Sequence, residues 1–374
     1  MGLFLCLYAK YFIKNSSFNF DIFKTSNTFA KETHPGNSLL YFLILISKIH
    51  LQLMIYFKLP FDETLYSTDQ KQNRESVSFH SFDLLRQISF QGSITEASEQ
   101  FEQDSITSKA LLKDESFFNA ETKEEYIGSL HQVIDVIKHH QLPKLVYSRR
   151  KIFQDYHQID YKQSFEKLCT SYPNAFRYIF NDGQQAWMGA FSETLGKFNK
   201  ITHEFETMSL AGTLPVSEEW TEKEIEEQKP VTTYIRDTLK NYSGNIEISD
   251  TYDHISGNIK HLRTDFKARI KPEDLDSLIN DLHPTPAVCG IPKDFCKKNI
   301  QTLEKFPREF YSGYSKVETD ESVMYFVNLR CARLYKDSIH LFVGGGITAQ
   351  SSPEKEWRET ELKSEAILKN LVIS

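Results

Sequence analysis

The alternation of apolar and polar positions along the chain predicts β-hairpins separated by amphipathic helices. Residues 124–140 carry apolar side chains at three- and four-residue intervals, which is typical of a helix that packs one face on a core. Residues 176–189 form two apolar stretches around an Asn-Asp-Gly turn, a strong short-range hairpin signal. Strands at residues 325–335 and 338–343 predict a second hairpin. Because no regular strand-helix-strand repeat is visible, the pattern favours an α+β fold.

A glycine run at residues 344–346 follows the second hairpin and precedes a predicted helix. Three consecutive glycines would weaken a strand interior, so they indicate that backbone or a ligand approaches closely there. Ser352 is a good N-cap for the helix that follows, and Pro353 fits its first position. The stretch therefore predicts a functional site at the start of the last helix.

Two predicted helices each offer a pair of glutamates three residues apart. Glu356 and Glu359 share one face of the last helix with Lys363, and Glu224 and Glu227 share one face of an earlier helix. Carboxylates from two helices suit a hard divalent cation such as Mg²⁺, which prefers oxygen ligands and keeps several waters. An acidic helix face is otherwise usually solvated, and that interpretation stays open for each helix taken alone.

Composition and charge narrow the function classes. The chain has 374 residues, enough for one large domain or two halves around a sizeable core. Its net charge of −7, without a basic run, argues against a nucleic-acid binder. Five cysteines without a CxxC pair predict free thiols in a reducing compartment, so we expect a cytoplasmic protein.

The glycine run and the last helix also carry a resemblance to a known family. GGGITAQSSPEKEWRETELK, with NLRCARL before it, resembles the C-terminal signature of the chorismate-utilising enzymes. That family includes isochorismate, anthranilate, aminodeoxychorismate and salicylate synthases, and similar motifs extend over residues 144–363. The resemblance implies one large chorismate-binding domain of layered antiparallel β-sheets, with helices outside and the ligand between two halves. Because the chain is acidic, local cations or a metal would have to attract the dianionic substrate chorismate.

Two further motifs imply the catalytic residues. KLVYSR, which begins at Lys144, resembles a segment in which isochorismate and salicylate synthases carry a lysine and anthranilate synthases a glutamine. Lys144 would activate water, which requires a site that favours the neutral amine. GAFSETL resembles the family's G-[AS]-[ST]-P-E-x-L, so Glu193 would protonate the departing ring hydroxyl, which requires a raised pKa. The motif HPTPAVCG resembles isochorismate synthases more than anthranilate synthases, so the predicted activity is isochorismate synthase.

The resemblance also implies the metal ligands and the substrate contacts. Glu227 and Glu359 would hold Mg²⁺, with Glu224 and Glu356 as supporting neighbours. Arg330 would bind a substrate carboxylate through paired charge-assisted hydrogen bonds. The predicted substrate-binding residues are Ala211, Gly212, Thr213, His261, Thr264, His283, Ala287, Tyr311, Arg330, Gly344, Gly346 and Lys363.

The chain departs from the family pattern in several places. Phe191 and Ser192 stand where a small residue and proline are usual, and Lys316 stands where glycine is often found. Pro230 lies inside the acidic helix, which is predicted to begin at Ser217, and it should kink or interrupt that helix. These departures leave open a chorismate-binding protein without catalysis. Salicylate synthase also stays open because it shares the lysine, whereas anthranilate or aminodeoxychorismate synthesis usually needs an ammonia source.

The predicted domain boundary lies between residues 53 and 54. We interpret residues 1–53 as an extension outside the enzyme, with Met54 as a hypothetical start, and residues 54–374 as the catalytic domain. The apolar stretch at residues 39–46 is too short to span a bilayer, so no stable membrane insertion is expected. Residues 59–61 are expected to enter a first strand. The product would serve menaquinone or siderophore biosynthesis, and the sequence predicts no oligomeric state.

Overall fold

The computed structural model describes residues 53–71, 74–103, 111, 113, 120–154, 159–257 and 259–373. The predicted extension at residues 1–53 lies outside these residues, apart from Leu53. The strands of the described part are β1 Leu53–Lys58, β2 Tyr66–Thr68, β3 Glu75–His80, β4 Gln87–Gln91, β5 Ile94–Glu96, β6 Lys144–Phe153, β7 Ile159–Asp160, β8 Phe176–Asp182, β9 Ala186–Phe191, β10 Thr194–Asn199, β11 Glu204–Pro215, β12 Ile246–Ile248, β13 Tyr252–Ser256, β14 Ile259–Arg269, β15 Gly290–Ile291, β16 Tyr314–Glu318, β17 Ser322–Val327, β18 Cys331–Leu334, β19 Ile339–Ile347 and β20 Val372–Ile373. Its α-helices are α1 Ser98–Gln103, α2 Lys123–His140, α3 Tyr161–Ser171, α4 Glu222–Leu239, α5 Leu275–Leu282, α6 Lys293–Leu303 and α7 Pro353–Leu368.

Two large antiparallel sheets form the body of the fold. The first sheet has the strand order β15-β6-β19-β18-β9-β8-β1-β2-β5. The second has the order β12-β14-β11-β10-β17-β16-β3-β4, with β13 also paired to β14. Consecutive hairpins such as β8-β9 and β16-β17 supply neighbouring strands, which explains why no parallel crossover is needed. The predicted α+β class with layered antiparallel sheets is confirmed.

An aromatic core joins the two sheets. Phe176, Tyr178 and Phe180 of β8 belong to the cluster that includes side chains of the second sheet. Ile179, between them, belongs to the cluster beneath the outer helices. Phe176 stacks on Phe326 of β17 with 4.7 Å between ring centroids. Since both faces of these strands are buried, their sequences read as continuous apolar runs rather than strict alternation. Each fully buried aromatic side chain contributes about 1.5–3 kcal/mol, so this core fixes the two halves against each other.

Helices cover the outer face of each sheet. α3 and α7 contribute to the cluster on the first sheet, whereas α4 and α5 contribute to the cluster on the second sheet. α2 and α6 pack against β6. α2 confirms the helix predicted at residues 124–140, and Thr122 and Glu125 form a capping box at its start. No helix in the described ranges is long and apolar enough to cross a membrane.

The strand predicted at residues 325–335 is wrong as a single element. β17 ends at Val327 in the second sheet and β18 begins at Cys331 in the first, so the chain crosses between sheets at residues 328–330. Arg330 has a φ of 45° at this crossing, a left-handed conformation that residues other than glycine rarely adopt. The prediction for residues 338–343 is confirmed within β19, and the hairpin at residues 176–189 is confirmed as β8 and β9.

The predicted start of the acidic helix is wrong. α4 begins at Glu222, five residues after the predicted cap Ser217. Thr221 is the cap, and its backbone N–H donates to Glu224 Oε2 at 3.2 Å. Only Thr221 precedes a glutamate by the three residues that a capping box needs, because Trp220 stands three residues after Ser217.

Pro230 does not interrupt α4, which continues past it to Leu239. A proline in a helix interior removes one backbone hydrogen bond and crowds the carbonyl four residues before it. Val231 and Ile235 are buried against the second sheet on the same helix, and this packing offsets the lost bond. The strand expected at residues 59–61 is also displaced, because β1 ends at Lys58.

Candidate active site

One inner pocket collects most of the predicted functional residues. Its walls come from both sheets, from α4 and from α7. We call it the inner pocket. The predicted residues that line it are Lys144, Glu193, Ala211, Gly212, Thr213, Glu227, His261, Ala287, Tyr311, Arg330, Gly344, Gly346 and Lys363.

Lys144 opens β6 and forms a buried ion pair inside the pocket. Its side chain is 2% exposed, and its Nζ lies 2.7 Å from Glu227 Oε1. Burial raises the pKa of Glu227, but the charges of Lys144, Lys223 and Lys363 outweigh burial and leave the pKa below its usual value. Glu227 is therefore a carboxylate at neutral pH. A buried pair of this kind is costly to break from one side, because the remaining charge loses its partner.

The glycine run lies within β19 and lets that strand pass close to the charged groups. A Cβ on Gly346 would lie 2.7 Å from Lys144 Nζ and closer still to Lys144 Cε and Glu227 Oε1. A Cβ on Gly345 would lie 3.1 Å from Glu356 Oε2. The predicted close approach is confirmed, although the run continues the strand and pairs with β6 instead of ending it.

Glu193 lies in the connection between β9 and β10 and is buried. Burial raises its pKa to about 7, although the charge of Lys144 and a hydrogen bond from Thr285 act in the opposite direction. Thr285 Oγ1 lies 3.5 Å from Glu193 Oε1. A carboxyl with this pKa can carry a proton near neutral pH, which is the property that a general acid needs.

Arg330 is partly buried where the chain crosses between the sheets. Its guanidinium donates to the carbonyl oxygen of Ser256 at 3.3 Å and to the Ser256 hydroxyl. It also donates to His261 Nε2 at 3.1 Å, so the proton of His261 resides on Nδ1, which donates to the Gly212 carbonyl at 3.0 Å. Burial, followed by the charge of Arg330, lowers the pKa of His261 far below its usual value.

No carboxylate pairs with Arg330 among the residues that the structure describes. Burial lowers the pKa of Arg330, but a guanidinium stays charged in proteins. A partly buried cation that is held only by neutral groups gains when an anion binds it. Arg330 therefore marks the inner pocket as a site for an anionic ligand.

Three glutamates of the pocket region each contact a lysine. Glu227 contacts Lys144, and Glu359 Oε1 lies 2.6 Å from Lys363 Nζ. Glu356 is 1% exposed, and its Oε1 lies 3.0 Å from Nζ of Lys223. Lys363 also donates to the carbonyl of Gly344 at 2.9 Å. Burial and the charge of Glu359 raise the pKa of Glu356 to about 7.

These carboxylates fit a cation that keeps part of its water shell. Oε2 of Glu356 is buried without a hydrogen-bond partner within the described ranges, and it lies beside the space that Gly345 leaves empty. In the same ranges no three acidic, histidine or cysteine side chains form a complete metal cage. Mg²⁺ needs no such cage, because it is usually bound by one or two carboxylates together with waters and substrate oxygens. Glu224 caps α4 and does not line the inner pocket.

Two predicted substrate contacts lie away from the inner pocket. The ring of His283 is buried, and its Nε2 lies 3.1 Å from the carbonyl oxygen of Phe82. Thr264 Oγ1 accepts from the Gln228 amide at 3.0 Å and contacts Thr251. His283 therefore holds neighbouring backbone, Thr264 holds neighbouring side chains, and neither residue lines the pocket.

The sequence did not identify three residues that the structure adds to the site. Lys223 contacts Glu356, which is 133 positions away in sequence, and its spacing of four from Glu227 was the available signal. Thr285 contacts Glu193, and its place in the HPTPAVCG motif could have suggested it. The sequence around His254 contains no pattern that indicates a functional role. Its Nε2 lies 3.1 Å from the hydroxyl of Ser192, which lines the pocket.

Sequence comparison identifies relatives with a common activity. The sequence model for the family described as chorismate binding enzyme matches residues 68–372. Isochorismate synthase EntC of Escherichia coli (strain K12) is 33% identical over 150 residues, which cover 39% of this chain and 38% of that protein. Isochorismate synthase MenF of the same strain is 26% identical over 199 residues, covering 50% of this chain and 46% of that protein. The matched part therefore spans less than half the length of these curated relatives.

A solved structure has the same fold. The putative 2,3-dihydroxybenzoate-specific isochorismate synthase DhbC from Bacillus anthracis superimposes with a TM-score of 0.70. The match covers 87% of this chain and 98% of that chain at 22% sequence identity. At this identity the likeness establishes the fold of the described residues.

Proposed function

The chain belongs to the family of chorismate-binding enzymes, and from this premise we propose that it is an isochorismate synthase. The observation that carries the proposal is the combination of Lys144 and Glu193 in one buried pocket that also holds Arg330. The first can serve as a base, the second as an acid, and the third as an anchor for a carboxylate. The curated relatives named isochorismate synthase support this choice within the family.

Conversion of chorismate to isochorismate adds water at one ring carbon and expels a hydroxyl from another. Lys144, as the neutral amine, accepts a proton from the attacking water. Glu193, as the protonated carboxyl, donates a proton to the departing hydroxyl, which leaves as water. One proton is taken and one is given, so the overall reaction is an isomerisation. A raised pKa of about 7 keeps enough of Glu193 protonated at neutral pH for this role.

The ion pair between Lys144 and Glu227 opposes the base role while it lasts, because a carboxylate at 2.7 Å stabilises the ammonium. Lys144 acts as a base only when Glu227 is engaged elsewhere. Glu227 and Glu359 would hold Mg²⁺, which would supply positive charge that neutralises Glu227 and attracts a substrate carboxylate. Glu356, with its unpartnered buried Oε2, would support the metal from beside Glu359. This metal assignment is part of the proposal.

Arg330 and Lys363 would hold the second carboxylate of the substrate. Hydrogen bonds to Ser256 and His261 hold the Arg330 guanidinium at the wall of the inner pocket, where it can form a charge-assisted contact with a carboxylate. Lys363 adds a point charge next to the backbone carbonyl of Gly344. The free, buried state of Cys169, Cys289, Cys296 and Cys331 supports our further proposal of a cytoplasmic location.

Product analysis tests the reaction class and the cofactor together. The purified protein is incubated with chorismate and Mg²⁺, and products are separated by chromatography with and without a chelator. We expect isochorismate that disappears when the chelator is present. Salicylate with pyruvate would instead identify a salicylate synthase, and unchanged chorismate from folded protein would identify a binding protein without catalysis.

A further inference from the structure

An outer cavity of about 500 Å³ adjoins the inner pocket. Its walls come from the end of α3, the turn between β13 and β14, and α7. Arg330 and Lys363 line both cavities, so they form the partition between them. Apart from Ser256, which holds Arg330, the reaction proposed above does not use the remaining residues of the outer cavity.

The outer cavity carries an excess of positive charge. Its lining includes Lys167, Arg358 and Lys369 in addition to the two shared cations, whereas its only acid among the described lining residues is Glu365. Glu365 forms an ion pair with Lys369. Lys167 and Arg358 are exposed and form no ion pair within the described ranges. The cavity therefore has unneutralised cations at its mouth as well as at its base.

This local charge is opposite to that of the whole chain. The net charge of −7 repels a dianion at long range, so an anionic ligand must be attracted by a local field. A concave surface lined by one sign of charge concentrates that field, and the partly buried guanidinium of Arg330 at its base has no carboxylate partner in the described residues. We propose that the outer cavity is a binding antechamber for a small dicarboxylate, which then passes Arg330 and Lys363 into the inner pocket. The identity of that dicarboxylate as chorismate rests on the proposed function.

Charge removal at the mouth tests the antechamber. The variant K167Q/R358Q/K369Q removes three cations, none of which belongs to the catalytic machinery. The matched control K197Q/K271Q/K298Q removes three exposed lysines that line neither cavity and form no ion pair in the described residues. Each lost charge at the mouth weakens attraction of a dianion about twofold at an ionic strength of about 20 mM, so we expect KM to rise about tenfold.

The expected pattern has three parts. In the antechamber variant kcat stays at the wild-type value, the rise in KM shrinks to less than about twofold at about 0.5 M salt, and the control variant behaves like wild type. An unchanged KM at low salt, or an equal rise in the control variant, would overturn the proposal. If wild type does not turn over chorismate, the same comparison is made by calorimetric binding of chorismate. The antechamber can therefore be tested even if the proposed reaction fails.

A second inference rests on the hydrogen bonds around Ser192. Arg263 Nη1 lies 3.4 Å from His254 Nδ1, and a guanidinium can only donate, so Nδ1 accepts. The proton of His254 therefore resides on Nε2, which donates to the Ser192 hydroxyl at 3.1 Å. Arg263 is held in turn by Asp265 Oδ1 at 2.8 Å from its Nε. Burial and the nearby charges of Arg263 and Arg330 lower the pKa of His254 to about 4, so it is neutral at physiological pH.

Ser192 is the residue immediately before Glu193, in the connection that leaves β9 and enters β10. On the far side, the carbonyl of Glu193 accepts from the backbone of Val327 at 3.0 Å. The structure assigns His254 and Ser192 as positioning residues that fix this connection and thereby aim the Glu193 carboxyl. A proline in place of Ser192 would achieve similar rigidity by fixing φ. This inference also rests on the proposed role of Glu193.

A variant series separates positioning from a general structural role. H254A and S192A should each lower kcat about tenfold with KM unchanged, and the double variant should lose no more than either single one. H254Q should restore kcat, because its amide can donate to Ser192 and accept from Arg263. S192P should make kcat insensitive to H254A.

Additive losses in the double variant, or equal losses in H254A and H254Q, would refute the positioning role. Circular dichroism and the unfolding midpoint of each variant identify any loss that reflects misfolding. If wild type lacks the reaction, the readout becomes the pH dependence of chorismate binding, which His254 variants should shift through Glu193.

Discussion

Gly346→Ala places a methyl group on the central ion pair of the site. The added Cβ would lie 2.7 Å from Lys144 Nζ, with Lys144 Cε and Glu227 Oε1 closer still. The backbone of β19 cannot retreat easily, because Gly346 is paired with Val146 in a continuous ladder with β6. The ion pair must therefore separate to make room.

The cost of separating this ion pair sets the expected loss of stability and of activity. Lys144 is 2% and Glu227 10% exposed, so neither charge gains much solvation when they part. Breaking a buried pair from one side costs about 3–5 kcal/mol, and relaxation of the lysine side chain reduces this to about 2–3 kcal/mol. A displacement of about 1 Å at a reacting group costs about 100-fold in rate, so kcat/KM should fall by at least that factor.

Urea unfolding and steady-state kinetics measure both effects, and Gly128→Ala is the matched control. Gly128 lies in α2 with no heavy atom within 4 Å of an added Cβ, so alanine there should stabilise the helix by up to about 1 kcal/mol and leave activity unchanged. A Gly346→Ala protein with wild-type stability and activity would refute the assigned geometry of Lys144 and Glu227.

Three further predictions follow from the same site. Glu193→Gln should lower kcat more than 100-fold. In wild type, kcat should fall as pH rises through about 7, because the carboxyl loses the proton it must donate. The residual activity of the variant should lack this alkaline limb of the pH profile. A pH profile without this limb in wild type would exclude Glu193 as the acid. Glu359→Gln should weaken Mg²⁺ binding more than about tenfold by calorimetry, and equal affinity would remove Glu359 from the metal site. Arg330→Gln should raise KM for chorismate about 30- to 100-fold by removing a bidentate contact, and an unchanged KM would exclude this anchor.

The functional residues that could be predicted from the sequence lie in short, contiguous motifs. The lysine at the start of KLVYSR, the glutamate of GAFSETL and the glycine run could all be identified from short stretches, and the structure brings them to one pocket. The helix at residues 124–140 was predictable because its apolar spacing matches its buried face, and the hairpin at residues 176–189 because an Asn-Asp-Gly turn separates two apolar stretches.

The features that could not be predicted depend on long-range packing. The crossing at Arg330 has no glycine or proline to mark it, and its φ of 45° is imposed by the two sheets on either side. The contact between Lys223 and Glu356 joins residues 133 positions apart. The start of α4 was misplaced at Ser217, although only Thr221 has a glutamate at capping-box spacing, and the structure buries that glutamate, Glu224. The crossing and the Lys223 contact depend on residues that are distant in sequence, so local patterns could not predict them.

The most direct test of the central claim is the oxygen source of the product. Chorismate and Mg²⁺ are incubated with the enzyme in water enriched in ¹⁸O, and the isochorismate formed is analysed by mass spectrometry. Water activation by Lys144 and protonation of the departing ring hydroxyl by Glu193 predict that the new hydroxyl of the product carries ¹⁸O in the same fraction as the solvent. Isochorismate without the label would contradict water addition, and the absence of isochorismate from folded, metal-loaded protein would contradict the proposed activity itself.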